Sequence, residues 1–348
     1  MAKLLSGKYG CIVKYLVTGC AGFIGSRVAK KLLREGHQVH GVDDLNEYYD
    51  ISLKYHRLES LQTHIGFSFE QGGIENLVTV QRIFEQHHFD AVINLAAAVG
   101  VRYSLENPHV YMSTNGVGNL NLLEAMRHAG VRKYVLASTS SLYAGQPMPF
   151  VETLPVNTPI SPYAASKKSA EAMAWSYHHL FDIDVSVVRY FTVYGPAGRP
   201  DMGIFRFVRW IAEGEPIQIF GDGEQSRDFT YVDDIAAGTV AALKPLGYEI
   251  INLGGGQRPV SLNSIVNRLA ERLGRKPIVE YLDRHDADMQ STWADISKAK
   301  RLLDWEPTVS IDEGLEKCAD WYLYNLPWAR EIELERPVVK SLPVRLAG

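Results

Sequence analysis

The feature that most constrains this chain is the glycine-spaced segment TGCAGFIG at residues 18–25, which follows an apolar strand and precedes a helix. Gly19, Gly22 and Gly25 allow a tight turn, close approach of the backbone to a phosphate, and close packing of the helix on the strand. The pyrophosphate of a dinucleotide then lies at the helix N-terminus, where unpaired amide N–H groups and the helix dipole favour negative charge. The segment therefore predicts a dinucleotide-binding domain.

A carboxylate follows this segment at the end of the next predicted strand. Gln38–Val42 has the pattern of that strand, and Asp43 comes directly after it. A carboxylate at this position accepts hydrogen bonds from the adenosine ribose and repels a 2′-phosphate, which favours NAD over NADP. The alternative is a structural turn followed by a solvated aspartate.

A second motif, Tyr163-Ala-Ala-Ser-Lys167, places a phenol and an amine one helical turn apart. A free tyrosine titrates near pH ~10, so Tyr163 can act as a base at neutral pH only if cations stabilise its phenolate. Lys167 and a bound nicotinium ring would supply those cations. Upstream, the apolar strand Tyr134–Ala137 runs into Ser138-Thr139-Ser140-Ser141, and a hydroxyl at this strand end can bridge the phenolate and a substrate alcohol. Tyr-x-x-x-Lys alone occurs by chance on many helices, but together with the glycine segment it indicates redox chemistry on a carbinol.

Composition excludes several other classes of protein. The chain has 348 residues, a net charge of -4 and 46% apolar residues, which gives no basic nucleic-acid footprint. The three cysteines are too few for a disulfide scaffold, and neither they nor the histidine pairs have metal-ligand spacing. No apolar run is long enough to span a membrane, and residues 1–13 lack a signal-peptide core. We therefore expect a cytoplasmic protein without metal, membrane or nucleic-acid partner.

Strands and helices alternate through the first half of the chain. Strands such as Lys14–Thr18 and Ala91–Ala96 are separated by helices such as Ser26–Gly36, which indicates right-handed βαβ units. We predict an α/β fold with a Rossmann-type doubly wound parallel sheet in an NAD-binding domain over residues 1–180. A smaller α/β lobe over residues 181–348 is expected to bind the substrate, and interleaving of the two units is an alternative.

The sequence resembles the extended short-chain dehydrogenase/reductase family of nucleotide-sugar epimerases and dehydratases, and within it the UDP-glucuronate 4-epimerases. The resemblance covers residues 14–325. The motifs that carry it are TGCAGFIG, DDLNEYYD (43–50), LAAAVGVRYSLENP (95–108), STSSLY (138–143), SPYAASK (161–167), RYFTVYGPAGRPDM (189–202), RDFTYVDD (227–234) and WADISKAKRLLDWEP (293–307).

The resemblance implies a reaction and a set of site residues. Tyr163 would take the proton from the 4-hydroxyl of a UDP-sugar while hydride passes from C4 to NAD, and the 4-keto sugar would then turn over and take the hydride back. Thr139 would be the catalytic hydroxyl. The other residues implied to line the cofactor are Phe23, Ile24, Asn46, Leu95, Ala96, Ala97, Asn115 and Phe191. The residues implied to bind the substrate are Ser140, Ser141, Thr192, Arg199, Phe220 against the uracil, and Arg227 against the diphosphate.

Two features of these motifs select among the possible reactions. Related dehydratases and decarboxylases carry acidic residues at the positions of Ser140 and Ser141, and hydroxyls cannot do that acid/base work at neutral pH, which favours epimerisation. In the uronate subgroup the residues matching Thr192 and Arg199 contact the sugar carboxylate, and a guanidinium suits that role through forked hydrogen bonds. Arg199 could instead be an ordinary surface arginine, and Arg227 could form a structural ion pair with Asp233 or Asp234.

The sequence leaves several other functions open. The enzyme could epimerise neutral sugars such as UDP-glucose or UDP-N-acetylglucosamine, or decarboxylate UDP-glucuronate, and a catalytically silent NAD-binding regulator is an alternative of another class. Ala197 replaces the subgroup's usual Trp, and Gly73 replaces an Asp that bonds the adenine amino group. Arg284 and His285 occupy positions at which related proteins have different residues, which contact the diphosphate. Apolar helices over 107–128 and 164–180 match those that pair across a two-fold axis in relatives, so a homodimer is expected.

Overall fold

The structure is a computed structural model that describes residues 12–283 and 289–334. The strands are β1 (Lys14–Thr18), β2 (Gln38–Asp43), β3 (Phe67–Gln71), β4 (Ala91–Asn94), β5 (Lys133–Thr139), β6 (Asp184–Tyr190), β7 (Thr192–Tyr194), β8 (Ile217–Phe220), β9 (Ser226–Arg227), β10 (Phe229–Tyr231), β11 (Tyr248–Leu253), β12 (Val260–Ser261) and β13 (Val279–Leu282).

Helices lie between most of these strands. They are α1 (Phe23–Arg34), α2 (Ser52–Gln62), α3 (Leu77–Gln86), α4 (Val101–Glu106), α5 (Pro108–Tyr111), a π-helical segment (Met112–Gly118), α6 (Asn119–Ala129), a 3₁₀ turn (Ser140–Tyr143), α7 (Pro162–Phe181), α8 (Gly203–Glu213), α9 (Val232–Ala241), α10 (Leu262–Leu273), α11 (Ser297–Leu303), α12 (Ile311–Tyr324) and α13 (Leu326–Ala329).

A parallel sheet of seven strands forms the centre of the molecule, in the order β11-β6-β5-β4-β1-β2-β3. Strand order reverses beside β1, so β2 and β4 flank it. Because all the strands are parallel, their carboxyl ends lie at one edge, which brings Thr18, Asp43 and Thr139 to the same side of the sheet. Ligands bind at this edge in doubly wound sheets. The predicted Rossmann-type α/β sheet is confirmed.

The two predicted units are interleaved along the chain. Strands β6 and β11 both follow residue 180, yet both belong to the seven-stranded sheet. The smaller strand pairs β7–β10, β8–β13 and β9–β12 lie outside it, and a separate apolar cluster includes Trp210, Ile219 and Leu269. The assignment of substrate binding to this second unit stays a prediction.

Element boundaries differ in places from those that the sequence predicts. Helix α1 begins at Phe23 rather than Ser26, because the helix starts directly after the glycine turn at Gly22. Strand β4 ends at Asn94, so Leu95 and Ala96, which the sequence assigns to this strand, lie in a loop. Within the described ranges, no helix combines the length and the apolar character needed to cross a bilayer.

Candidate active site

The glycine segment forms a tight turn that requires glycine at positions 19 and 25. Gly19 has a φ of +67°, and a Cβ added to it would lie 2.7 Å from the backbone nitrogen of Ala96. A Cβ on Gly25 would lie 2.0 Å from the carbonyl oxygen of Gly19. Gly22 caps α1 without a side-chain hydrogen bond, and the first turn of α1 holds no acidic residue. Its amide N–H groups are therefore free of side-chain caps and suited to an anion.

Asp43 is buried at the carboxyl end of β2. Its Oδ2 accepts a hydrogen bond from the amide of Ala21 at 3.1 Å, and its Oδ1 accepts one from the amide of Leu45 at 2.9 Å. Burial raises the pKa of this carboxyl, and the Lys54 ammonium, 3.6 Å away, opposes the rise. Carboxylate oxygens can accept further hydrogen bonds beyond these two, so Asp43 remains able to bind ribose hydroxyls beside the glycine turn.

Asn115 joins the loop after β4 to helix α7. Its side chain donates to the carbonyl of Ala98 at 3.0 Å and to Ser166 Oγ at 2.9 Å, and its Oδ1 accepts from the amide of Ala98 at 2.9 Å. Ser166 Oγ in turn donates to the carbonyl of Tyr163 at 2.8 Å. The Asn115 side chain therefore holds the loop of residues 95–98 against the helix that carries Tyr163. This structural role is compatible with the predicted role of Asn115 at the cofactor.

The other predicted cofactor residues lie around the same edge. Phe23 and Ile24 form the first turn of α1, and Leu95, Ala96 and Ala97 follow β4 as a partly buried loop. Phe191 directly follows β6 and is buried against Tyr143. Asn46 is exposed, and its side chain bonds the Asp44 carboxylate at 2.7 Å. Together with the turn and Asp43, this lining fits a dinucleotide, and no group of His, Cys, Asp and Glu in the described ranges is arranged to hold a metal ion.

Tyr163 and Thr139 meet where α7 passes the carboxyl end of β5. Burial raises the pKa of the half-buried Tyr163 phenol, while a hydrogen bond with Thr139 and the charge of Arg199 both lower it. Thr139 is buried, and its Oγ1 lies 3.1 Å from Ser141 Oγ. The hydroxyl and the phenol that the sequence predicts to act together are therefore adjacent.

Lys167 is buried one turn after Tyr163. Its Nζ donates to the carbonyl of Ala137 at 3.0 Å. Burial lowers the pKa of Lys167 to about 8, against the opposing effect of the Glu171 carboxylate. Its charge is therefore sensitive to pH in the range where enzymes are assayed.

A buried ion pair supports this helix from behind. Glu171 accepts hydrogen bonds from Nε and Nη2 of Arg189 at 2.9 and 2.7 Å, and both residues are 1% exposed. The hydroxyl of Ser138, the residue before Thr139, donates to Glu171 at 2.6 Å. The pair thus ties α7 to the ends of β5 and β6. Sequence reasoning did not identify Glu171, although its place four residues after Lys167 extends the same helical face.

Arg199 is partly buried, with 18% of its side chain exposed, and its guanidinium has a carboxylate and an aromatic ring as neighbours. Its Nε donates to Asp201 Oδ1 at 3.0 Å, its Nη2 bonds the other carboxylate oxygen, and its guanidinium lies 5.7 Å from the centre of the Tyr48 ring. Burial disfavours the charged form, but the Asp201 carboxylate outweighs it and raises the pKa of Arg199. Asp201 was not found from the sequence.

The remaining predicted substrate residues lie in neighbouring elements. Ser140 and Ser141 form the 3₁₀ turn after Thr139, and the amide of Thr192 donates to the carbonyl of Asp228 at 3.3 Å. Phe220 ends β8, and the guanidinium of Arg102 lies 4.1 Å from the centre of its ring. Arg102 belongs to α4, so this contact joins the loops of the large sheet to the second unit.

Arg227 donates through Nη1 to the carbonyl of Ser226 at 2.8 Å. The two carboxylates considered as its structural partners have other contacts, since Asp233 pairs with Arg27 at 3.5 Å and Asp234 accepts from Thr308 at 2.8 Å. Arg284 and His285 lie outside the described residues.

Two departures from the family pattern have structural consequences. A Cβ on Gly73 would lie 2.1 Å from Glu75 Oε1, so the Glu75 carboxylate takes the space of a side chain at position 73. Ala197 is buried, 6% exposed, in the apolar cluster of the second unit, and its φ is +54°. A left-handed alanine costs about 1–2 kcal/mol, so surrounding contacts must stabilise this loop.

Comparison with known proteins agrees with this geometry. The sequence model described as the NAD dependent epimerase/dehydratase family matches residues 15–254. The chain belongs to this family. The resemblance to nucleotide-sugar epimerases that the motifs indicate is thereby confirmed.

Individual relatives share nearly the whole chain. A UDP-glucuronate 4-epimerase of Thermodesulfobacterium geofontis is 59% identical over 320 residues, which is 92% of this chain and 99% of the relative. The structure of UDP-glucuronic acid 4-epimerase from Bacillus cereus, in complex with UDP-glucuronic acid and NAD, superposes with a TM-score of 0.84 at 38% identity, over 90% of this chain and 99% of that one. The UDP-glucose 4-epimerase of Thermotoga maritima, solved with UDP-glucose, gives 0.81 at 34% identity, with 90% and 99% covered.

Proposed function

We propose that this protein is an NAD-dependent UDP-glucuronate 4-epimerase that interconverts UDP-glucuronate and UDP-galacturonate. The observation that carries the proposal is the position of Thr139 at the carboxyl end of β5, against the helix α7 that bears Tyr163 and the buried Lys167, whose Nζ donates to the carbonyl of Ala137 on β5. The charge of Arg199 lowers the pKa of the Tyr163 phenol at the same place. The relatives from Thermodesulfobacterium geofontis and Bacillus cereus, described by that same activity, support it.

The residues of this chain would move one proton in each half-reaction. Tyr163 takes the proton of the sugar 4-hydroxyl, and Thr139 holds that hydroxyl by bridging it to the phenol. Lys167, charged below pH ~8, stabilises the phenolate that this transfer needs. NAD, when bound beside Asp43 and the glycine turn, supplies the acceptor for the C4 hydride and its return. After the 4-keto sugar has turned over, Tyr163 gives the proton back to the C4 oxygen, and the configuration at C4 is inverted because the hydride would return to the opposite face of the sugar.

Elimination and decarboxylation are disfavoured by the groups beside Thr139. The side chains of Ser140 and Ser141 are hydroxyls, which cannot remove the C5 proton at neutral pH as a carboxylate would. A 4-keto uronate loses carbon dioxide when its carboxylate stands perpendicular to the ketone plane. Arg199, held by Asp201, would restrain the carboxylate from reaching that orientation.

Epimerisation of a neutral UDP-sugar is the second candidate. The similarity to the Thermotoga maritima UDP-glucose 4-epimerase favours it, as does Ala197 in place of a larger residue near Arg199. A silent NAD-binding regulator is less well supported, because such a protein would need no hydroxyl adjacent to Tyr163.

The deciding experiment is incubation of the purified protein with UDP-glucuronate and, separately, UDP-glucose, with the products separated and identified by NMR. Formation of UDP-galacturonate with little UDP-galactose is expected. Turnover of UDP-glucose alone would replace the uronate assignment by the neutral one, a UDP-pentose as the main product would indicate a decarboxylase, and no turnover of either sugar would contradict the proposal.

We further propose that the protein is a homodimer in the cytoplasm. Exposed apolar side chains on residues 108–118 and on α7, namely Val110, Met112, Val117, Trp175 and Leu180, form the surface expected to pair across a two-fold axis. Cys20 and Cys318 are free thiols, which suits a reducing compartment. Light scattering should give twice the chain mass, and Val117→Glu should reduce it to the monomer mass.

A further inference from the structure

Arg57, on helix α2, makes a set of contacts that sequence reasoning did not anticipate. Its side chain is 5% exposed. Its guanidinium donates to the carbonyl of Ala197 from Nε at 3.1 Å and from Nη2 at 2.8 Å, and Nη2 also donates to the carbonyl of Gly198 at 3.2 Å. One guanidinium therefore holds two consecutive carbonyls of the loop that leads directly into Arg199.

The opposite edge of the same guanidinium faces the dinucleotide turn. Nη1 donates to the carbonyl of Ala21 at 3.2 Å and to the Tyr49 hydroxyl at 2.6 Å. Ala21 lies inside the glycine segment, and its amide is the group bonded to Asp43. The planar guanidinium of an arginine can bind the carbonyls of residues 197 and 198 with one edge and the carbonyl of Ala21 with the other, whereas a lysine ammonium cannot reproduce this geometry.

The loop that Arg57 holds needs this support. Ala197 has the left-handed φ of +54° that side-chain-bearing residues rarely adopt, and its carbonyl accepts both Nε and Nη2 of Arg57. Arg27, on α1, adds one hydrogen bond to the neighbouring carbonyl of Pro196 at 3.0 Å. Arg199 follows two residues after Ala197, so the direction of its side chain depends on the backbone that Arg57 fixes.

We propose that Arg57 is a positioning residue that couples the dinucleotide-binding turn to recognition of the sugar carboxylate, by holding the loop before Arg199. This inference rests on the proposed function, because it assigns the carboxylate to Arg199. It predicts that loss of Arg57 weakens the binding of a uronate selectively, and only when Arg199 is present.

A double-mutant cycle tests this coupling. Arg57→Met and Arg199→Met are made singly and together in a Tyr163→Phe background, which prevents turnover, and the Kd of UDP-glucuronate and of UDP is measured by calorimetry on NAD-loaded protein. We expect Arg57→Met to weaken UDP-glucuronate about tenfold more than UDP, and this selective loss to disappear when Arg199 is already Met. Equal losses for both ligands, or a selective loss that persists without Arg199, would overturn the inference.

Two further variants separate positioning from charge and from folding. Arg57→Lys keeps the charge but loses the fork, so it should show most of the selective loss; binding like that of the parent would mean that charge alone matters. Arg27→Met removes the single hydrogen bond to Pro196 together with the ion pair to Asp233, and it should still show a smaller selective loss. An equal or larger loss would contradict the special role of Arg57. If Arg57→Met does not fold, Arg57→Gln takes its place in the cycle.

The cycle also distinguishes this inference from the proposed function. A parent protein that binds UDP-glucuronate no more tightly than UDP would refute recognition of the carboxylate altogether. A parent that prefers UDP-glucuronate, together with additive effects of the two substitutions, would leave the proposed function standing and refute only the coupling through Arg57.

Discussion

Asp201 binds the Nε and Nη2 edge of Arg199, so the guanidinium whose charge lowers the pKa of Tyr163 has a carboxylate partner within its own loop. Among the described residues, no hydrogen bond reaches the remaining Nη1 of Arg199. A sugar carboxylate would therefore meet an arginine whose orientation is already fixed, which reduces the ordering cost of binding.

Replacement of Arg199 by Met should weaken turnover of UDP-glucuronate far more than any turnover of UDP-glucose. A lost charge-assisted contact is worth about 1.5–3 kcal/mol, which is roughly a tenfold to hundredfold loss. The fraction of decarboxylated product should also rise, because the freed carboxylate can rotate to a perpendicular position at the 4-keto stage. The measurement is product analysis with both substrates, and equal losses on both would mean that Arg199 only supports the pocket.

Tyr163→Phe should retain the fold and bound NAD but lose activity by about 10²-fold or more, since only the proton-transfer group is removed. Tyr111→Phe is the matched control. Tyr111 packs against Tyr163 with a ring-centre distance of 6.0 Å, but its hydroxyl donates to the carbonyls of Val99 and Gly100. The control should therefore keep most of the activity, and comparable rates for the two variants would remove Tyr163 from the role of base.

Activity should fall as the pH rises through about 8, because the Lys167 ammonium that stabilises the phenolate loses its proton there. The charged form is required, so its contribution is present below this pKa and absent above it. Lys167→Arg keeps a charge throughout the assay range, since a guanidinium titrates above pH ~12. Profiles of kcat/KM against pH should show the alkaline decline in the wild type only, and the same decline in Lys167→Arg would assign it to another group.

The wild-type protein should purify with NAD bound, because a cofactor regenerated in every turnover need not leave. Gly19→Ala should purify without it, since the added methyl would collide with the backbone at Ala96. Gly130→Ala is the control: its φ is +72°, but nothing lies within 4 Å of an added Cβ. Both variants carry backbone strain of about 1–2 kcal/mol. Dinucleotide released from denatured protein should be missing only for Gly19→Ala, and its presence there would contradict the assigned site.

The sequence by itself determined the parts of this protein whose requirements are local. The turn needs a residue at position 19 that tolerates a positive φ, and Tyr163 and Lys167 share a helical face because Lys167 is the fourth residue after Tyr163. Each requirement involves only a few residues that are close together in the sequence. The alternation of strands and helices, which is also a local pattern, predicted the parallel sheet.

Only the tertiary structure revealed the buried charged groups that support the predicted site residues. Arg57 meets Ala197 across 140 residues of sequence, and Glu171 meets Arg189 only because α7 packs on β6. The place of β11 beside β6 likewise depends on a strand returning from the second unit. Such contacts produce no periodicity or spacing in the sequence. A buried hydrogen bond requires only that its donor and acceptor be close in the folded chain, and their separation along the sequence can have any value.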